Sequence, residues 1–114
     1  MAKASNTVQI LVYSTAAPKI AGYYISHSVT SVIADYTIEV NDEEVKGDIT
    51  GGGTITLPTS TGEGSQYLIS NKNADTLTIA CSSSDTIDGE TTQDMEQYES
   101  FIAVDDEVGN YTIH

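Results

Sequence analysis

Gly51 to Asn71 reads GGGTITLPTSTGEGSQYLISN, and this stretch decides the fold class. Thr54-Ile55-Thr56-Leu57 alternates polar and apolar side chains, and Pro58 cannot donate to a strand ladder. Thr59 to Ser65 is small and polar, and Gln66-Tyr67-Leu68-Ile69-Ser70 resumes an extended pattern. Alternation with a period of two, bounded by Gly and Pro, predicts half-buried β-strands on either side of a loop.

The same pattern recurs along the chain. Val8–Tyr13 (VQILVY) and Gly22–His27 (GYYISH) are strand candidates, and Val29–Ala34 is either a strand or a helical turn. Asp35–Val40 alternates, with Tyr36, Ile38 and Val40 expected on one face. Val45–Ile49, Thr76–Cys81, Asp85–Gly89, Ser100–Val104 and Tyr111–His114 read as further strands. Asn71–Asp75 and Asp88-Gly89 read as turns, and Asp105–Asn110 as an acidic turn. Thr91–Glu99 is either the one passable helix or an extended edge. Val and Ile total 20 against 4 Leu, and Thr adds 15. β-branched side chains suit a pleated surface and disfavour helix. The expectation is an all-β, antiparallel β-sandwich or small barrel, jelly-roll-like, with turn signals about every 8–12 residues and no repeat of fixed period.

Charge divides the chain. Residues 1–34 hold Lys3 and Lys19 and no acid, a net of +2. Residues 35–114 hold all 17 acids against Lys46 and Lys72, a net of −15. The sequence therefore predicts an acid-free N-terminal anchoring segment, 1–34, with one or two strands, and an acidic β-module, 35–114. The net charge of −13, with no Arg, argues against nucleic acid and against an anionic membrane surface. No apolar run is long enough for a membrane helix and no signal-peptide pattern is present, so synthesis in a cytoplasm is expected.

Little in the chain suggests chemistry. Cys81 is the single cysteine and reads as a buried small hydrophobe. His27 and His114 have no nucleophile spaced around them, and Ser82-Ser83-Ser84 lacks an elbow motif. Gly51-Gly52-Gly53 is not followed by the Lys-Ser/Thr of a phosphate loop; it reads as a strand entry or a close backbone approach beside a partner chain. The acid groups Asn41–Glu44, Asp85/Asp88/Glu90 and Asp105–Glu107 match no calcium loop and read as solvated charges. No enzyme, cofactor or metal is expected. Six of the seven tyrosines, Tyr23, Tyr24, Tyr36, Tyr67, Tyr98 and Tyr111, sit mostly in strand candidates. An exposed set of them would suit a glycan.

One ordered set of short motifs resembles a known family. Thr54-Ile55-Thr56-Leu57-Pro58 is followed by Gly64, Tyr67–Asn71, Thr76–Ile79, Asp85–Gly89, Phe101–Val104 and Tyr111–Ile113. Over residues 53–113 this order resembles a β-module of tailed-phage virion proteins: head fibres, capsid decoration proteins and tail-fibre tips. That family usually closes on a Trp-containing element, where this chain has Asn110-Tyr111. The resemblance implies a homotrimeric structural protein of the virion, assembled in the host bacterial cytoplasm, with no catalysis. A chain with only an acid-free segment before the module is expected to decorate a capsid rather than tip a shaft. Its partners would then be copies of itself and the major capsid protein or another virion protein. The alternative is a receptor- or glycan-binding tip domain of a tail fibre. Val8, Ile10, Val12, Tyr13, Tyr23 and Tyr24 are the candidate contacts to capsid or to neighbouring copies.

Overall fold

The computed structural model describes residues 27–114. Among them there is no helix. Ten strands form two sheets: β1 (Val29–Val32), β2 (Tyr36–Thr37), β3 (Glu44–Gly47), β4 (Gly53–Thr56), β5 (Ser65–Asn71), β6 (Leu77–Ala80), β7 (Thr86–Ile87), β8 (Thr92–Met95), β9 (Ser100–Glu107) and β10 (Asn110–Ile113). One sheet has the order β1-β3-β5-β9-β10-β7 and the other β2-β4-β6-β8.

The expected all-β class is found, but the expected antiparallel arrangement is corrected. β1, β3 and β5 lie parallel in one sheet, and β2, β4 and β6 lie parallel in the other. The chain crosses between sheets after every strand from β1 to β6. It therefore winds three times round one core, laying one strand in each sheet per turn. Only then do antiparallel partners enter, with β8 on β6, β9 on β5 and β10 on β9. β7 joins the edge of the larger sheet, parallel to β10. The loop after Pro58 is accordingly a crossover between sheets, not the end of a hairpin.

Alternation alone does not fix the pairing direction: parallel sheets are usually covered on both faces and run continuously apolar, but a parallel sheet with one wet face alternates as an antiparallel one does. Here each sheet has one wet face, so parallel strands alternate too. Val45 lies beside Ile69 across β3 and β5, and Ile55 beside Ile79 across β4 and β6. All four are fully buried, together with Leu57, Leu77, Ile87, Ala103 and Tyr111. Glycine sits where the sheets close tightly. A Cβ on Gly47 would meet Leu77 Cδ2 at 2.9 Å, and one on Gly52 would meet the Thr76 carbonyl oxygen at 2.9 Å. The glycine run is thus a close approach within the chain, to its own neighbouring turn.

Other details also differ from expectation. Val40 does not join Ile38 in the core: Ile38 is buried and Val40 is 79% exposed, because β2 ends at Thr37 and the chain turns at Val40-Asn41. Thr91–Glu99 resolves as strand β8 followed by a turn. β9 runs through Asp105 to Glu107, so the turn there is confined to Val108-Gly109. Val29–Val32 is a strand within the larger sheet, so the last part of the acid-free segment pairs with the acidic body.

Candidate interaction surface

The two ends of the winding are unlike. Among the described residues, β1 is the edge of the larger sheet at the first turn and β2 the edge of the smaller. The Ser28 and Val32 carbonyls accept from Glu44 N–H (3.2 Å) at the start of β3 and from Asp48 N–H (2.9 Å) just after its end. In a parallel strand, residues alternate in the side to which both backbone groups point. The N–H and C=O groups of Val29 and Ser31 therefore face away from β3, with no partner among the described residues. β1 reads VTSV and carries no charge. Val29 (48%), Ile33 (80%) and Val40 (79%) are exposed around this end.

The far end is closed. Asp88 (φ +48°) and Gly89 (φ +82°) form a two-residue turn with both residues left-handed, and Ile87 exchanges both backbone hydrogen bonds with Glu90. The Gln93 side chain on β8 donates to the Ile87 carbonyl of β7 at 3.2 Å, tying the two edges together. Asp88, Glu90, Asp94 and Glu96 are exposed along this rim. Acidic side chains on an edge block strand addition. The first turn has no such charge on its edge strand.

Acids near the open end are set back from that edge and are held. Asp42 accepts from the Tyr36 hydroxyl at 2.7 Å, from Glu39 N–H at 2.9 Å and from the Thr30 hydroxyl at 3.2 Å. The bond to Asp42, then burial and the nearby negative charges, push the Tyr36 hydroxyl up to about 12. His27 Nε2 lies 2.9 Å from Glu44 Oε1, and Nδ1 lies 3.8 Å from Glu43 Oε1. Lys46 is 3.9 Å from Glu44. Four acids, Glu39, Asp42, Glu43 and Glu44, thus stand behind β1 with Lys46 and His27 as their only described basic neighbours.

The other acidic groups do structural work. Asp105, expected in a solvated turn, is 2% exposed. Burial pushes its carboxyl up, but bonds from Thr61 N–H, the Ser60 hydroxyl, Gly62 N–H and the Thr61 hydroxyl outweigh that and hold it below the usual carboxylate range. Asp85 accepts from Ser60 N–H at 2.8 Å and Asp88 from Ile113 N–H at 3.3 Å. At the opposite corners, Asp35 accepts from Thr54 N–H and Asp75 from Gly51 N–H, each pinning the neighbouring turn of the winding. Among the described residues no three His, Cys, Asp or Glu side chains converge as a metal site would require.

Cys81, expected to be buried, is only half-buried against the core, and burial, with Asp85 nearby, pushes its thiol up to about 11. Tyr67 and Tyr111 are buried, and the Tyr111 hydroxyl donates to the Pro58 carbonyl at 2.8 Å. Tyr98 alone among the described tyrosines is exposed, at 75%, in the turn after β8. Val8, Ile10, Val12, Tyr13, Tyr23 and Tyr24 lie outside the described residues. The open edge was not legible in the sequence, because it depends on which strands pair. No protein-family model matches the chain, and no characterised protein or solved structure matches it either.

Proposed function

We propose that the chain is a structural protein of a tailed-phage virion, of the capsid-decoration or head-fibre kind, bound to the shell through its N-terminal part and assembled as a homotrimer. The observation that carries this reading is the polarity of the body. Its open end, where the edge strand β1 itself carries no charge and Val29, Ile33 and Val40 are exposed, lies where the acid-free segment joins. Its closed end carries an acidic rim. An uncharged edge and exposed aliphatic side chains lose little on leaving water for a protein surface, whereas the acidic remainder keeps that surface from sticking elsewhere. The major capsid protein is the partner, and cyclic contact between copies covers apolar surface that a thin β-body leaves exposed.

The test is co-sedimentation with empty capsids. The full chain pellets with the shells, and a chain lacking residues 1–20 stays in the supernatant. Equal binding by both removes the reading. The receptor-tip alternative draws on Tyr98, the exposed ring in the turn between β8 and β9. Binding of the full chain to a glycan array, lost in Tyr98→Ala, would favour it instead.

A further inference from the structure

We propose that Tyr98 anchors a docking site for a basic segment of another protein, seating a Lys or Arg side chain on the face of its ring. Tyr98 lies in the turn between β8 and β9 with φ +68°. Left-handed backbone is an outlier for a bulky residue and suits Gly, Asn or Asp. The other described non-glycine residues with positive φ are Ser83 and Asp88, both with short side chains. The turn would thus form more easily without the ring. The ring in return packs little within the fold, because Tyr98 is 75% exposed. Tyr67 and Tyr111, by contrast, are buried with ring centroids 6.4 Å apart. A large side chain kept at a strained position without inward packing points to a contact outside the molecule.

The turn is fixed before any partner arrives. Tyr98 N–H donates to the Asn71 carbonyl at 2.7 Å, and Asn71 N–H donates to the Glu99 carbonyl at 3.0 Å. The buried Asn71 side chain donates to the Met95 carbonyl at 2.9 Å, and Glu96 N–H donates to the Glu99 carboxylate at 2.7 Å. A ring presented on a tethered turn loses little freedom on binding. Charge selects the partner. Glu96 and Glu99 flank Tyr98 in the same turn, and Asp94 precedes it on β8; all three are exposed. Among the described residues none of the three is in an ion pair. A cation over the ring is drawn by the negative face of the π-system, and the flanking carboxylates add to that attraction. A neutral sugar could stack on the ring but would make no use of those charges. The inference does not depend on the virion reading, and its test contains no capsid, so each can fail alone.

The test is an NMR titration of the full chain with a short lysine-rich peptide and with the same peptide carrying norleucine in place of lysine. The Tyr98 ring resonances are expected to shift saturably with the lysine peptide and to stay in place with the norleucine one. Tyr98→Phe keeps the ring face and should bind as the wild type does. Tyr98→Asn should bind about two- to fivefold more weakly, the size of an exposed cation–ring contact. Tyr98→Asn should also melt no lower than the wild type, because Asn tolerates the left-handed turn and no packed side chain is lost. A lower melting temperature would show the ring packing inside the fold and overturns the proposal. Ring resonances unmoved by the lysine peptide overturn it as well. So does equal binding by Tyr98→Asn, which assigns the attraction to net charge alone. A Tyr98-dependent signal on a glycan array, with no shift from the lysine peptide, assigns the ring to a sugar and overturns it equally.

Discussion

The Ser60 hydroxyl donates to the Asp105 carboxylate at 2.7 Å across 45 positions of sequence, joining the loop after Pro58 to the middle of β9. Gly109 N–H donates in turn to the Ser60 oxygen at 2.9 Å. One buried carboxylate thus fixes a crossover loop and, through Ser60, the β9–β10 turn. Asp105→Asn keeps the volume and removes the charge that four donors satisfy. The expected loss is about 1.5–3 kcal/mol, the range for hydrogen bonds to a charged group, read as a lower urea midpoint with an unchanged slope. The carboxyl is held below its usual value in the fold, so the unfolded chain takes up the proton first as pH falls. Its contribution is complete above the ordinary value of about 3.9 and disappears as pH falls through the folded value. The wild type and Asp105→Asn should therefore converge in stability in acid. A gap that stays constant below pH 4 would contradict this.

Tyr36 and Asp42 predict the alkaline limb. The Tyr36 hydroxyl is raised to about 12 by its bond to Asp42. A group raised in the fold stabilises fully below its unfolded value, near 10, and loses that contribution as pH climbs toward the folded one. Tyr36→Phe should be about 1 kcal/mol less stable at pH 8, with the difference narrowing between pH 10 and 12. Ultraviolet titration should show one fewer late-ionising phenol in the variant.

Adjacent glycines separate backbone strain from collision. Gly51 and Gly52 have φ of +85° and +86°. A Cβ at Gly51 meets open space, whereas one at Gly52 meets the Thr76 carbonyl oxygen at 2.9 Å. Gly51→Ala should cost about 1–2 kcal/mol, the left-handed penalty alone. Gly52→Ala should cost more, because the neighbouring turn must also shift. Equal losses in thermal or urea unfolding would show that the turns are not in contact at this point.

Core and open end should respond oppositely. Ile79 is fully buried between the sheets, and Ile79→Ala should cost about 2–5 kcal/mol. Ile33 and Val40 are about four-fifths exposed. The double change Ile33→Asp with Val40→Asp should move stability by no more than about 0.5 kcal/mol per site while weakening association with capsids. A large stability loss in that double variant would place these side chains in a core instead of at an interface.

Strand positions were largely legible in the sequence because burial on one face imposes a period of two whatever the pairing. Thr54–Leu57, Gln66–Ser70 and Leu77–Ile79 all lie where alternation predicts, and the Asp88-Gly89 turn follows from residues that tolerate positive φ. Pairing direction was not legible. It is set by whether a connection turns back within a sheet or crosses to the other one, and Thr59–Gly64 carries the same small polar residues either way. Asp105 could not be told from Asp106, since only the pairing of β5 with β9 carries Asp105 to the loop donors. The open edge was hidden for the same reason: VTSV is unremarkable until β3 is known to cover one side of it and no described strand the other.

Cryo-electron imaging of capsids incubated with the full chain tests the virion reading most directly. Added density is expected on the outer shell, oriented with the β1–β2 end against the capsid and the β7–β8 rim outward. Bare shells, or density attached through the β7–β8 rim, would contradict it.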